Sequence, residues 1–528
     1  MFTRLLSLLS LAAASPDAHR ITSLPGVDMG QLDASHFSGY LAVQELSVFY
    51  YYVQHPDPTA PLLVWMNGGP GASSLMGLFT ELGPLLLNSR SFPENNGGDW
   101  HLESNPYSWS NNASLLVWEQ PAGVGFSRCT PEPCAHLPWN DTSSAEANLQ
   151  ILLEFYSTHP SEVKRDVRIA GESYGGVYVP LLAQLVHEHN NAVDTSTADL
   201  RGASATFNKD TDTIPLKGIA VGNGCVGWTV KGGCGLDAMD LLVTVMEQGA
   251  PGVSRSVLAD VRAGCKGDEL TSGKQPEELS ATCLPAMNGL LEELAEYNEY
   301  SRGTACGPDG SGNWGDGSGF SCGADLALRE YLSGVAAQKA LHVLPAASAG
   351  PALAWKWWDG DSPFYTITNP NIVPTYAALL AEGYGVTIYN GLRDTGVPAQ
   401  GAERWIATIA APDSADGRAT TGVPAASPRR KWSSPSAGGA GGRFTNSSQV
   451  AGYVTRYANG IQFVTVVGAG HLMPGERPAS ASTLISAVLR GEELPAYDGP
   501  KCKRLWLGKG YGNFCANSSA AGSGTAGH

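Results

Sequence analysis

Gly171-Glu172-Ser173-Tyr174-Gly175 is the stretch on which the reading of this chain turns. Asp166-Val167-Arg168-Ile169-Ala170 leads into it with β-strand character. Gly176 to Val186 (GVYVPLLAQLV) follows and reads as a helix start with an apolar face. Strand, G-x-S-x-G and helix in that order form a sharp turn that lifts a serine to the edge of a sheet. The serine must adopt a strained backbone conformation, and the glycines let strand and helix approach closely. The same five residues also fit an ordinary strand-to-helix turn, so the rest of the chain must supply the partners.

The chain has 528 residues, enough for one large α/β domain with an insertion or for two or three ordinary domains. Lys and Arg number 33 against 49 Asp and Glu, a net charge of −16, which argues against nucleic acid as a partner. Residues 1–14 read as a secretory signal: Arg4 is the positive start, Leu5 to Leu11 the apolar centre, and Ala12-Ala13-Ala14 the small-residue end. No later run reaches the roughly 18 apolar residues of a membrane span. The mature protein is therefore expected in the secretory pathway without a membrane anchor, in a vacuole or lysosome or outside the cell.

Ten cysteines, Cys129, Cys134, Cys225, Cys234, Cys265, Cys283, Cys306, Cys322, Cys502 and Cys515, fit five disulfides in an oxidising compartment. None has zinc-site spacing, so neither a metal nor another cofactor is expected. Asn-x-Ser/Thr sequons start at Asn112, Asn140, Asn446 and Asn517 and become candidate glycan sites in a secreted chain.

Taken in order, Ser38 to Val53 reads as two antiparallel strands at a sheet edge. Pro61 to Met66 (PLLVWM) is a strand buried on both faces, ending in the turn Asn67-Gly68-Gly69-Pro70-Gly71-Ala72-Ser73-Ser74. Ala113 to Glu119 is a second buried strand before another Gly/Pro turn, and Ser143 to Thr158 has helical spacing. Leu216 to Val221, Val386 to Tyr389 and Ile461 to Val467 complete the strand candidates. Residues 225–332 read as a mainly helical insertion stapled by disulfides, with one acidic helix over Leu290 to Tyr300. It divides the core into 20–224 and 333–498. Ala411 to Gly442 reads as a mobile surface excursion, and 499–528 as a C-terminal tail.

The strand Val386 to Tyr389 runs into Asn390-Gly391-Leu392-Arg393-Asp394, and Ile461 to Val467 runs into Gly468-Ala469-Gly470-His471. Asp394 alone fits a turn cap, and His471 alone fits structure as well as function. Together they give serine, acid and histidine in the chain order of the α/β-hydrolase fold, with a mostly parallel central sheet. Ser173 would be the nucleophile, His471 its base, and Asp394 the group that fixes the imidazole. The backbone N–H groups of Tyr174 and Gly69 would form the oxyanion hole.

The motifs Trp65 to Gly71, Gly171 to Gly176, Asp394 with Val397-Pro398, and Gly468 to His471 resemble the serine carboxypeptidases, the vacuolar and lysosomal enzymes among them. Asn105 to Trp109 and Gly123 to Ser127 add to the resemblance, which extends from about Ser23 to Tyr497. It implies removal of C-terminal residues from peptides and proteins at acidic pH, with a homodimer as an allowed assembly. It also implies that Asn67, Glu81 and Glu172 hold the substrate's terminal carboxylate, which requires protons shared among the carboxyls. Two positions depart from the family pattern: Ala72 replaces a cysteine, so disulfide pairing cannot be carried across, and Leu392 replaces the first of two acids in the Asp394 loop. Glu172 favours a peptidase over the related acyltransferases, which commonly have Asp there. A protective or scaffold role beside catalysis is the reading from another class.

Overall fold

A computed structural model describes residues 16–498 apart from 132–133, 135–136, 196–212, 233, 249–252, 295–299, 302–323, 349, 357–364, 410–424 and 436–447, and the backbone of 501–506 and 511–516. The expected signal at 1–14, Cys306 and Cys322, and the sequons at Asn446 and Asn517 lie outside the described residues.

Ten strands form the path of the main sheet: β1 (Ser35–Val43), β2 (Leu46–Gln54), β3 (Leu62–Met66), β4 (Ser114–Trp118), β5 (Val167–Glu172), β6 (Leu216–Gly222), β7 (Gly385–Gly391), β8 (Ala425–Pro435), β9 (Ser448–Tyr457) and β10 (Gln462–Val466). Their spatial order is β1-β2-β4-β3-β5-β6-β7-β10-β9-β8. The central six, β4 to β10 in that order, are parallel; β1 and β2 flank one side antiparallel, and β9 and β8 the other.

Continuous apolar runs are what a strand covered on both faces requires, and the core confirms it residue by residue. Along β3, Leu62, Val64 and Met66 enter one hydrophobic cluster while Leu63 and Trp65 enter the other. β4 divides in the same way, Leu116 and Trp118 against Leu115 and Val117. Helices α1 (Asp141–Thr158) and α2 (Gly175–Thr195) cover the first face through Ile151, Leu152, Phe155, Val179, Leu182 and Val186. Each such apolar side chain, taken from water, contributes about 1.5–3 kcal/mol. Pro180 lies inside α2 and cannot donate to the carbonyl four residues back. Tyr376 Oη replaces that donor, bonding Gly176 O at 2.7 Å.

The insertion is helical among its described residues: α3 (Ala238–Glu247), α4 (Arg255–Gly264), α5 (Cys283–Leu294) and α6 (Ala324–Leu332). The first three share a small core of their own, built on Val243, Val261, Met287 and Leu290. Disulfides Cys225–Cys234 and Cys265–Cys283 tie it down, with Cys129–Cys134 a third outside it. α6 instead packs Ala327, Leu328 and Tyr331 on the second face of the main sheet, beside α7 (Pro478–Arg490). The acidic helix begins seven residues before the expected start and its range ends at Leu294. Cys283, Met287 and Leu290, at i, i+4 and i+7, supply the buried face that fixes it, and Glu293 Oε2 accepts from Ser254 N at the start of α4 at 2.6 Å.

The excursion expected over 411–442 contains sheet instead. β8 pairs antiparallel with β9 and buries Trp432 completely. Its Pro428 is tolerated because it falls, unpaired, in a register break between Ser427 and Arg430 of the outermost strand, so its missing N–H breaks no ladder. The expected tail also holds structure: Lys501–Trp506 and Tyr511–Ala516 pair as a hairpin that sets Cys502 opposite Cys515.

Candidate active site

Ser173 sits where β5 turns into α2, with φ at +58°. That left-handed conformation is costly for a residue with a Cβ and is held by its surroundings. Ser173 N donates to Gly222 O at 3.0 Å, while Ser173 O accepts from Gly176 N and Cys225 N, both at 2.9 Å. The glycines are required by space: a Cβ at Gly171 would stand 2.5 Å from Met66 O, and one at Gly176 would stand 2.2 Å from Cys225 O. Ser173 is partly exposed between buried neighbours.

Gly69 and Tyr174 belong to two turns pressed together. A Cβ on Gly68 would lie 2.3 Å from Tyr174 N and 2.8 Å from Glu172 O. The Gly69 and Tyr174 backbone N–H groups have no acceptor among the described hydrogen bonds, as donors reserved for a ligand would have. Gly68→Ala is therefore expected to push the loop off the elbow, cutting kcat by about 10²- to 10³-fold, the loss of one oxyanion donor. The overpacking should also cost about 1–3 kcal/mol of stability, readable as a lower Tm.

Asp394 and His471 meet as the sequence order required. His471 Nδ1 and Asp394 Oδ2 are 2.7 Å apart, and both residues are buried. Asp394 Oδ1 accepts from Gly396 N at 2.9 Å and Val397 N at 3.2 Å, so the carboxylate cannot swing. His471 N donates to Tyr300 O at 2.6 Å, and the Tyr300 ring lies 4.7 Å from the imidazole. Burial pulls the imidazole pKa down, but Asp394, Glu81 and Glu476 pull harder and leave it raised.

Asn67, Glu81 and Glu172 form one buried cluster. Trp65 Nε1 and Gly77 N both donate to Asn67 Oδ1, at 2.8 and 3.1 Å. That fixes the amide, whose Nδ2 donates to Glu172 Oε1 at 2.8 Å. Both Glu81 oxygens and Glu172 Oε2 are buried without a partner. The two carboxyls are close enough to hydrogen-bond through a shared proton, although two ionised carboxylates have none to share. Burial raises both pKa values, and their mutual repulsion raises that of Glu172 further.

Three residues of this site were not singled out by the sequence reading. Asn223, with φ at +41°, donates to Asp394 Oδ2 at 2.7 Å and bonds Gly391 N through its own oxygen. Tyr389 places a buried, unpartnered hydroxyl beside the Glu81–Glu172 pair. Glu476 is buried, accepts from Ser301 Oγ at 2.6 Å, and is pushed up to about 7 by burial. Asn223 and Tyr389 lie at or just beyond the C-terminal ends of β6 and β7, where α/β sites gather, and position alone was the available signal. Glu476 carried none.

Of the described sequons, Asn140 caps α1 through its side-chain oxygen, and Asn112 Oδ1 accepts from Ser486 Oγ at 2.6 Å. Trp355 is a core residue; Trp357 and Trp358 lie outside the described residues. No group of three or more metal-ligating side chains occurs among the described residues. No described helix is long and apolar enough to cross a membrane.

A serine on a strained strand-to-helix turn, with a buried Asp–His pair on loops after the later strands of a mostly parallel sheet, defines an α/β hydrolase. Residues 25–491 match the family model described as serine carboxypeptidase, and the chain belongs to that family. It is 27% identical to serine carboxypeptidase 1 of Hordeum vulgare over 534 residues, 91% of this chain and 94% of that one. It is 30% identical to serine carboxypeptidase-like 26 of Oryza sativa subsp. japonica over 512 residues, 91% of each. In fold it is similar to KEX1(DELTA)P, a prohormone-processing carboxypeptidase from Saccharomyces cerevisiae, with a TM-score of 0.64 at 18% identity, covering 95% of this chain and 99% of that one.

Proposed function

We propose that this protein is a serine-type carboxypeptidase that removes residues from the free C-termini of peptides and proteins in acidic surroundings. The observation that carries the reading is the buried carboxyl pair Glu81 and Glu172: Glu172, next to Ser173 in sequence, accepts from Asn67 through Oε1 and leaves Oε2 without a partner, and both oxygens of Glu81 are likewise unpartnered. When they hold protons, they offer O–H donors to a substrate carboxylate. When both ionise, they repel it.

Ser173 Oγ attacks the last peptide carbonyl as His471 Nε2 takes its proton. The Gly69 and Tyr174 N–H groups receive the developing oxyanion, and His471 returns the proton to the leaving amine. Water then releases the acyl group by the same steps in reverse order. Asp394 keeps the Nδ1 proton directed at itself throughout.

The sign of the pH dependence follows from the raised carboxyl pKa values. A raised pKa means that the folded cluster takes up protons, so stability and carboxylate binding are full in acid and fall as pH rises through the cluster's folded pKa. The same protons help the base. Glu81 and Glu476 raise the His471 pKa only while ionised, so protonating them favours the neutral imidazole that catalysis needs. Glu172→Ala, which removes the donor, is expected to raise KM for free-carboxylate peptides by about 10- to 150-fold, the 1.5–3 kcal/mol of one hydrogen bond to a charged group. The pH dependence of KM should also flatten. An unchanged KM–pH profile in steady-state kinetics would remove Glu172 from carboxylate recognition. The secretory route, glycans at Asn112, Asn140, Asn446 and Asn517, and homodimer formation belong to this proposal; intact-mass analysis before and after deglycosylation tests the glycans.

A further inference from the structure

A buried carboxyl lies below the glycine loop that the chemistry above leaves unused. Glu119 follows β4 directly and is 0% exposed. Its Oε1 accepts from Ser73 Oγ at 2.5 Å and from Trp355 Nε1 at 2.8 Å, and its Oε2 accepts from Phe126 N at 2.6 Å. Its own backbone is pinned as well: Glu119 N donates to Phe49 O at 3.0 Å, and Ser127 Oγ donates to Glu119 O at 2.6 Å. Gly125 is glycine for this reason, since a Cβ there would fall 1.9 Å from Glu119 Oε1. A buried charge is expensive unless paired, yet no basic group contributes to its environment.

The three donors come from three separate segments. Ser73 ends the loop that carries Asn67 and Gly69, and its Oγ caps the helical turn Ser74–Gly77 by accepting from Leu75 N at 3.2 Å. Phe126 belongs to the turn after β4. Trp355 lies 22 residues beyond Ser333, whose Oγ it bonds through its backbone N–H. The far end of the loop is fixed by Asn67, through Trp65 Nε1 and through Gly77 N and Ser74 Oγ of the turn that Ser73 caps. Gly69 therefore hangs between two anchors, and Glu119 is the one that grips Ser73.

We propose that Glu119 is a positioning residue for the oxyanion hole: through Ser73 it sets where the Gly69 N–H points. The proposal rests on Gly69 serving as an oxyanion donor. Ionised, Glu119 accepts from all three donors and the network is complete. When it takes a proton, Oε1–H donates to Ser73 Oγ, and the Ser73 hydroxyl proton loses its acceptor. The grip on the loop then changes from a charge-assisted bond to a neutral one, about half as strong. Ser73, Phe126 and Trp355 face the carboxyl and Gly125 closes its side; none of these titrates. Burial pushes the Glu119 pKa up to about 7, the three hydrogen bonds opposing it, so the exchange falls near neutral pH.

The test uses the full-length protein and a p-nitrophenyl ester, whose acyl transfer needs the oxyanion hole whether or not the enzyme prefers a free C-terminal carboxylate. Assayed above pH 7, where Glu119 is ionised, Glu119→Gln places an N–H where an acceptor stood and should lower kcat about 10- to 100-fold while KM moves less than about twofold. Ser73→Ala should give a similar loss, and the double variant should lose no more than the worse single one, because both act through one contact. Phosphonate active-site titration normalises kcat to folded enzyme. If Glu119→Gln does not fold, Ser73→Ala carries the test alone. An unchanged kcat per titrated site in Ser73→Ala, a loss confined to KM, or losses that multiply in the double variant would each overturn the proposal. Ester turnover by wild type with no cleavage of peptides would overturn the carboxypeptidase reading and leave this one standing.

Discussion

Ser173→Ala is expected to lower peptide turnover by about a million-fold, to the level left by binding and oxyanion stabilisation alone. The size follows from the site's construction. The strained φ of +58° is imposed by hydrogen bonds to Gly222, Gly176 and Cys225, and alanine satisfies all of them because they are backbone contacts. The variant should therefore fold, keep its Tm within about 1 °C, and lose only the Oγ that attacks. Quantitative mass spectrometry of released C-terminal amino acids reads the loss. Turnover within a hundredfold of wild type would remove Ser173 from the chemistry.

Asp394→Asn should cost about 10⁴-fold in kcat with little change in KM. Gly396 N and Val397 N require an acceptor at one terminal atom, so an asparagine must keep its oxygen there. Its NH2 then faces His471 Nδ1, where a carboxylate oxygen stood at 2.7 Å. Nδ1 must accept instead of donate, which moves the ring proton to Nε2 and leaves no lone pair for the Ser173 hydroxyl. Asn223 Nδ2, now opposed by another donor, adds strain to the same point. Activity recovered at high pH without a change in fold would agree with a tautomer error; a uniform loss at every pH with a lower Tm would indicate collapse of the loop.

The parts of this architecture visible in the sequence were those encoded locally. Leu62 to Met66 and Leu115 to Trp118 announce a sheet covered on both faces, because no solvent-facing position interrupts them. Ser173, Asp394 and His471 were legible because each follows a strand on a glycine-bearing turn. β8 was hidden by composition: its Ser, Pro and Arg residues read as loop, and only pairing with β9 and burial of Trp432 make it a strand. Asn223, Tyr389 and Glu476 were hidden by distance. Asn223 reaches Asp394 across 171 positions, and Ser301 reaches Glu476 across 175. Such contacts arise from sheet order, which local patterning does not contain.

Under the proposed function, the Glu81–Glu172 pair is what would bring the serine, acid and histidine shared by many hydrolases to a peptide end. The triad would set the reaction, and the carboxyl pair would select a substrate that itself ends in a carboxylate. The separation of these roles is testable with one peptide in two forms.

End-product analysis of matched peptides with free and amidated C-termini, at acidic and neutral pH, is the most direct measurement. The account predicts stepwise loss of single residues from the free acid, faster in acid than at neutrality, with the amide cleaved at least about tenfold more slowly in acid. Equal cleavage of both forms, or products cut internally, would contradict it.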